Sequence, residues 1–380
     1  MHTRARTSLR YGGSRSDQRF EGCDPRLLQE WDHLAAESGL PLLQPGWLRC
    51  WWNHAPPATA QRVVAVLERG RLIGLAPFYA ERHGPLRVDY RIPDVQFGTG
   101  LAPLAIAGRE EEVAVAVAEA LQRVSPRPDV LAFESLPADT GWDRLIAAGW
   151  PGSARPLRAV YIRHSGPSVE LAEGFDSWFA SRSQKFRENR RRRLRRLAEL
   201  GGQIRAATPE TVEADLAALF ELHARRWGPR GGSRLLRKGD AGRAILAEAA
   251  ATLLPQGRLR VWVIEDERER IWVGCFLAAG ATCYALAHGW EERFGRLAPP
   301  VLGLLHCLEE MSSRGERVLE FGVGAHAYAT SMANRNRELV WAVVAPPRPR
   351  LPLTGLRLAP VVGRNLAKSW LDRRRGGSSR

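Results

Sequence analysis

The sequence predicts an α/β (α+β) protein made of two copies of one unit, each a sheet flanked by helices. Two observations carry this. Each half runs in the same order: helix, helix, strand–turn–strand, helix, short buried strand. The chain has 380 residues, 44% hydrophobic and 26% charged, enough for two cores and too apolar for disorder throughout.

In the first half a helix is expected from Pro25, with Leu27, Leu28, Trp31, Leu34 and Ala35 on one stripe, and a short one follows near Trp47–Trp52. Val63–Glu68, a turn at Arg69-Gly70 and Leu72–Tyr79 form a strand pair. Glu111–Val124 is amphipathic, and Val130–Glu134 is a buried strand. Gly, Pro and small residues over 147–156 mark a boundary.

In the second half Thr208-Pro209 is expected to cap a helix with Val212, Leu216, Leu219, Phe220 and Trp227 on one face. Ala241–Leu254 is the next helix. Arg258–Glu265 and Ile271–Ala279 pair through a turn, Cys283–His288 is a third strand, Val301–Ser312 a helix, and Val318–Phe321 the closing buried strand. The units are bounded at 20–165 and 166–345. Residues 1–19 read as a disordered basic leader and 346–380 as a basic, loosely held tail.

The formal net charge of +15 is concentrated. Residues 1–19 carry +4, and residues 182–196 and 348–380 carry +8 each, which leaves the rest at −5. Nearly all of it is arginine; the lysines are Lys185, Lys238 and Lys368. Ser181 or Ser183 can cap a helix over 182–200 that closes at Gly201-Gly202. Arg190–Arg193 covers about one full turn, so charge surrounds this helix, and its repulsion calls for anions nearby. Two readings stand: it binds phosphates of CoA, a nucleotide-linked acceptor or tRNA, or it is a solvated helix neutralised by the acidic body.

Several chemistries lose their usual signature. The sequence has no G-x-x-x-x-G-K-[ST] loop, H-E-x-x-H, paired C-x-x-C or G-x-S-x-G, so no metal is expected. Five scattered cysteines make no disulfide framework; Cys275 and Cys283 are expected as small buried hydrophobes. No apolar run is long enough for a membrane-spanning helix and no secretory signal is visible, which suggests a cytoplasmic protein.

The series Leu222-His223-x-x-Arg226-Trp227, then RLRVWVIEDERERIWVGCFLAAGATCYALAHGW, an apolar helix and VLEFGVGAHAY resembles the CelD-like and FemAB-like GNAT-fold acyltransferases. The likeness spans roughly residues 25–345, and FemAB-like proteins carry two fused GNAT-like units. It implies twisted mixed sheets in tandem, a cleft within or between the units, and acyl or aminoacyl transfer to an amine. The family's D-F-G-x-G-x-x-x-Y-K-like run corresponds here to Glu320-Phe321-Gly322-Val323-Gly324 with Tyr328, and Ala329 stands in the lysine's place. The CoA-binding Q/R-x-x-G-x-G/A turn corresponds to Trp290–Pro300, where Arg293, Gly295, Arg296 and Ala298 occur with the glycine one place early.

Glu320, at a strand end above a glycine turn, is the candidate base, with His326 and Tyr328 as further acid–base groups. His288, Arg293, Gly295 and Arg296 are candidates for the donor site, since a helix start attracts anions. Lys185, Arg190, Arg191, Arg226 and Trp227 are candidates for substrate contact; packing is the competing reading for Trp227. His223 falls on the apolar face of its helix, as a core histidine would.

The leading functional reading is N-acyl transfer, acetyl first, from acyl-CoA to an amine on a small molecule, sugar or peptide. One alternative is aminoacyl transfer from a charged tRNA. Another is a non-catalytic scaffold that binds an anionic partner.

Overall fold

In the computed structural model, residues 6–11, 24–56, 59–84, 87–93, 101–230, 232–323 and 327–348 are described. Their elements run β1 (Arg6–Tyr11), α1 (Pro25–Glu37), α2 (Pro45–Asn53), β2 (Ala60–Glu68), β3 (Arg71–Arg82), β4 (Val88–Arg91), β5 (Leu104–Ala105), α3 (Glu110–Arg123), β6 (Val130–Pro137), α4 (Trp142–Ala148) and β7 (Leu157–Glu170). Then follow α5 (Phe175–Ala180), α6 (Gln184–Glu199), β8 (Gln203–Ala206), α7 (Val212–Trp227), α8 (Arg234–Leu253), β9 (Leu259–Glu265), β10 (Arg270–Ala279), β11 (Thr282–Trp290), α9 (Pro299–Ser313), β12 (Val318–Glu320), α10 (Ala327–Met332) and β13 (Arg335–Ala345).

Local chemistry sets the helix starts. Asp24 accepts the Arg26 N–H at 3.0 Å ahead of Pro25, and Ser183 accepts the Phe186 N–H at 3.3 Å to open α6. The start of α7 falls later than expected. The Thr211 hydroxyl accepts the Thr208 N–H at 3.0 Å, so Thr208-Pro209 forms a turn and Thr211 is the cap.

The strands make one sheet in the order β1-β2-β3-β4-β6-β13-β7-β12-β11-β10-β9-β8, with β5 beside β3. Among the described residues, the parallel pairs are β4 with β6 and β11 with β12. They match one for one: Asp89, Tyr90 and Arg91 lie opposite Val130, Leu131 and Ala132, while Thr282, Cys283 and Tyr284 lie opposite Val318, Leu319 and Glu320. This is the expected duplication, expressed as register.

The two units exchange their closing strands. β13 lies between β6 of the first unit and β7, and β7 in turn pairs with β12 of the second unit. The expected boundary at 165/166 therefore falls inside β7, which serves both units. Arg6–Tyr11, expected in an unstructured leader, form β1 antiparallel to β2, because backbone pairing at a sheet edge needs no apolar pattern.

Of three buried clusters among the described residues, the two larger lie on opposite faces of the sheet, and β10 serves both. Val273, Cys275 and Leu277 face the larger one, under α1, α2, α3, α7 and α8, while Trp272, Phe276 and Ala278 face the one under α5, α6 and α9. The units also clamp directly. Arg258 pairs with Asp32 and donates to Gln44 at 2.8 Å, and Glu248 accepts from Asn53 at 2.8 Å. At the β10–β11 turn Gly280 has φ 56°, and a Cβ there would lie 2.4 Å from the Ala36 carbonyl oxygen of α1.

Candidate active site

β11 and β12 run together only as far as Tyr284 and Glu320. Beyond that point β11 continues to Trp290, while the chain leaves β12 through Gly322 at φ 76°. The strands part there, and among the described residues no strand covers that edge of Ala285–Trp290. Backbone N–H groups on such an edge can polarise a carbonyl. The helix α7 seals the slot from one side. A Cβ on Gly289 would come within 2.7 Å of the His223 backbone nitrogen, so only glycine lets α7 lie this close to β11.

Glu320 is half-buried at the apex of the split. It lines a cavity of about 30 Å³, about one water's worth, with Tyr284 and Gly322 of its own unit, Leu40 and Leu42 of the first, and Gly166, Arg337 and Leu339 of the crossing strands. Burial raises the Glu320 carboxyl above its ordinary value, and Arg337 and Arg335 act against that rise. Among the described residues its carboxylate has no hydrogen-bond or ion-pair partner.

Arg337 and Leu40 also line a cleft of about 520 Å³ in the first unit. Its walls include Glu37, Glu110, Glu111, Asp139 and Trp142. Arg337 bonds Asp139 at 2.9 Å, so one ion pair stands where the large cleft meets the Glu320 cavity.

Four residues beyond Tyr284, about 13 Å along β11 at ~3.3 Å per residue, is His288. Its Nε2 and the Tyr328 hydroxyl are 2.7 Å apart, and the rings meet edge to face. Burial raises the Tyr328 phenol. His288 and Tyr328 thus form a pair. His326 lies outside the described residues. His223 is a core histidine, as expected: Nδ1 is 2.8 Å from the His288 carbonyl oxygen, Nε2 is 2.8 Å from Ser233 Oγ, and burial lowers its pKa.

The expected donor turn is built differently. Pro299 and Pro300 have no N–H, Val301 and Leu302 both donate to the Ala298 carbonyl, and Ala298 donates to Gly295. The start of α9 therefore offers no free backbone donors for a pyrophosphate, and the CoA cradle does not fit there. Arg293 pairs with Glu269, and Gly295 sits inside the six-residue 3-10 helix Glu292–Leu297 beside Arg296. Arg226 pairs with Glu292 at 3.0 Å and lies 4.7 Å from the Trp290 ring centre, with Trp227 at 5.9 Å.

On α6, Arg190 pairs with Glu309 at 2.5 Å and rests on the Phe175 and Phe179 rings. Lys185 and Arg191 are exposed. Among the described residues Arg190 is the α6 cation in an ion pair. Tyr284, Arg337 and Asp139 had no signal in the sequence. They meet Glu320 only through the register of β11 and the placement of β13.

Among the described residues the first unit shows no counterpart of Glu320. The register puts Ala132 where Glu320 stands, and Arg91 beside it pairs with Glu134, Glu81 and Asp89.

Residues 184–330 match the family described as Acetyltransferase (GNAT) domain. No curated protein matches. Among solved structures, FemX is 11% identical over 87% of this chain and 98% of its own, with a TM-score of 0.65. The C-terminal domain of a putative lysylphosphatidylglycerol synthetase from Agrobacterium fabrum is 8% identical over 87% and 96%, with a TM-score of 0.53. A Bacteroides thetaiotaomicron protein of unknown function is 9% identical over 89% and 100%, with a TM-score of 0.51. At such identities the likeness is one of fold: the chain shares the fold of FemX across most of its length, and its residues 184–330 match the GNAT acetyltransferase domain family.

Proposed function

We propose that this protein is an N-acyltransferase that moves an acyl group, acetyl in the leading case, from a thioester of CoA to a primary amine. The observation that carries the reading is Glu320: a carboxylate with no described partner, at the apex of a split sheet, next to a cleft large enough for an acceptor. The acyl end of the donor lies along the open edge of β11, where backbone N–H groups polarise its carbonyl. The acceptor enters as an ammonium ion through the acid-lined first-unit cleft and gives a proton to Glu320, whose raised pKa suits a base. The free amine attacks, the N–C bond forms, the C–S bond breaks as the departing thiolate takes a proton from Tyr328, which His288 holds, and the second proton of the new amide nitrogen restores the Tyr328 phenol. No metal takes part in this scheme.

A second reading, aminoacyl transfer from a charged tRNA by the same chemistry with a ribose oxygen leaving, is favoured by the blocked start of α9. Release of CoA thiol from acetyl-CoA, scored over a panel of primary amines, tests the first. Transfer of radiolabelled amino acid from charged tRNA tests the second. Silence in both overturns the proposal and leaves the scaffold reading.

A further inference from the structure

We infer that Arg193, with the neighbouring guanidinium groups of α6, binds the phosphates of the acyl donor in place of the backbone at the start of α9. The inference rests on the proposed function in one respect, that a phosphate-bearing donor lies in the β11–β12 split.

Phe186, Arg190, Arg193 and Leu197 recur at helical spacing and form the inward face of α6. That face packs on α9 and on the 292–297 turn, and Leu197, 3% exposed, shares a core with Leu297. Arg193 is therefore held beside the turn where this fold would otherwise bind a phosphate. It is half-buried, and among the described residues it has no ion pair; Glu309, the carboxylate on that side, is taken by Arg190. Burial and the adjacent Arg192 both lower its pKa, as expected for a cation lacking a counter-ion. Arg191, Arg195 and Arg196 are likewise unpaired among the described residues.

The body of the protein treats its arginines differently. Arg205, Arg258, Arg260 and Arg270 each meet a carboxylate. A half-buried guanidinium without an acid is costly unless an anion joins it, and its planar fork matches phosphate oxygens. Side-chain donors here would replace the backbone donors that Pro299 and Pro300 remove.

The phosphates could belong to CoA or to a tRNA backbone, and binding titrations of the full chain with CoA and with bulk tRNA, at one fixed ionic strength, separate them. Arg193→Gln should weaken the probe that binds by about tenfold. Arg82→Gln, the same charge loss at an exposed site in the first unit, should leave affinity unchanged. Arg195→Gln, exposed on α6, gives a smaller drop and serves if Arg193→Gln does not fold. A loss confined to CoA assigns a thioester donor, and a loss confined to tRNA assigns a nucleic-acid carrier. Wild-type affinity in the folded α6 variants, or an equal loss in Arg82→Gln, overturns the inference. Because these titrations need no turnover, a probe that binds through Arg193 but is never consumed would sink the proposed function alone.

Discussion

Arg337, on β13, bonds Asp139 of the first unit at 2.9 Å and lines the same small cavity as Glu320. One guanidinium therefore joins the two units and lowers the pKa of the carboxyl that burial raises. Arg337→Gln removes the lowering influence, so the Glu320 pKa should climb further. The ascending limb of kcat/KM against pH should then move to higher pH. An unmoved limb would mean that another group is the base.

Glu320→Gln should lower kcat by about 10²–10⁴-fold, the range of a lost general base, without loss of fold by circular dichroism. Glu134→Gln is the matched control. It lies in the first unit, two residues past Ala132, and pairs with Arg91, so turnover should stay at the wild-type level.

Tyr328→Phe deletes the hydroxyl 2.7 Å from His288 Nε2. If that hydroxyl protonates the leaving group, kcat should fall by about 10–100-fold while stability changes by about 1 kcal/mol. The deficit should shrink with a donor whose leaving group is more acidic. Equal deficits for both donors would mark the pair as structural.

The fully buried Asp215 accepts from Arg205 at 2.8 and 2.9 Å and from Arg270 at 2.6 Å. Burial alone would raise its carboxyl, yet these bonds outweigh it and hold the pKa below the ordinary value. A depressed folded pKa gives stability that is present above about pH 3.9 and lost as pH falls through the folded value. Asp215→Ala should cost about 3–5 kcal/mol in chemical denaturation near neutral pH and should flatten the acid limb of the stability curve.

The elements legible in the sequence were those with strong local patterns. The stripe of α1, the alternation of β10 and the run ending at Glu320 all stand where the residues put them. β7 and β13 were not legible, although they are the longest neighbours in the sheet. β7 mixes exposed arginines with Gly166 and Pro167, and both strands are specified by partners far away in sequence. The site divided the same way. Glu320 was visible as a strand-end acid, and His288 with Tyr328 as separate candidates. Their pairing, and the Arg337–Asp139 link, depend on strand order that no local spacing encodes.

The strand exchange also orders the life of the chain. When the first unit has emerged from the ribosome, its β6 has one edge with no strand to fill it. That vacancy closes only when β13, the closing strand of the second unit, lies between β6 and β7. The Glu320 cavity has walls from α1's following turn, β7, β11 and β13, so it comes into being at that moment and not before. A chain that lacks β13 would leave β6 and β7 without the strand between them and the Glu320 cavity without Arg337 and Leu339.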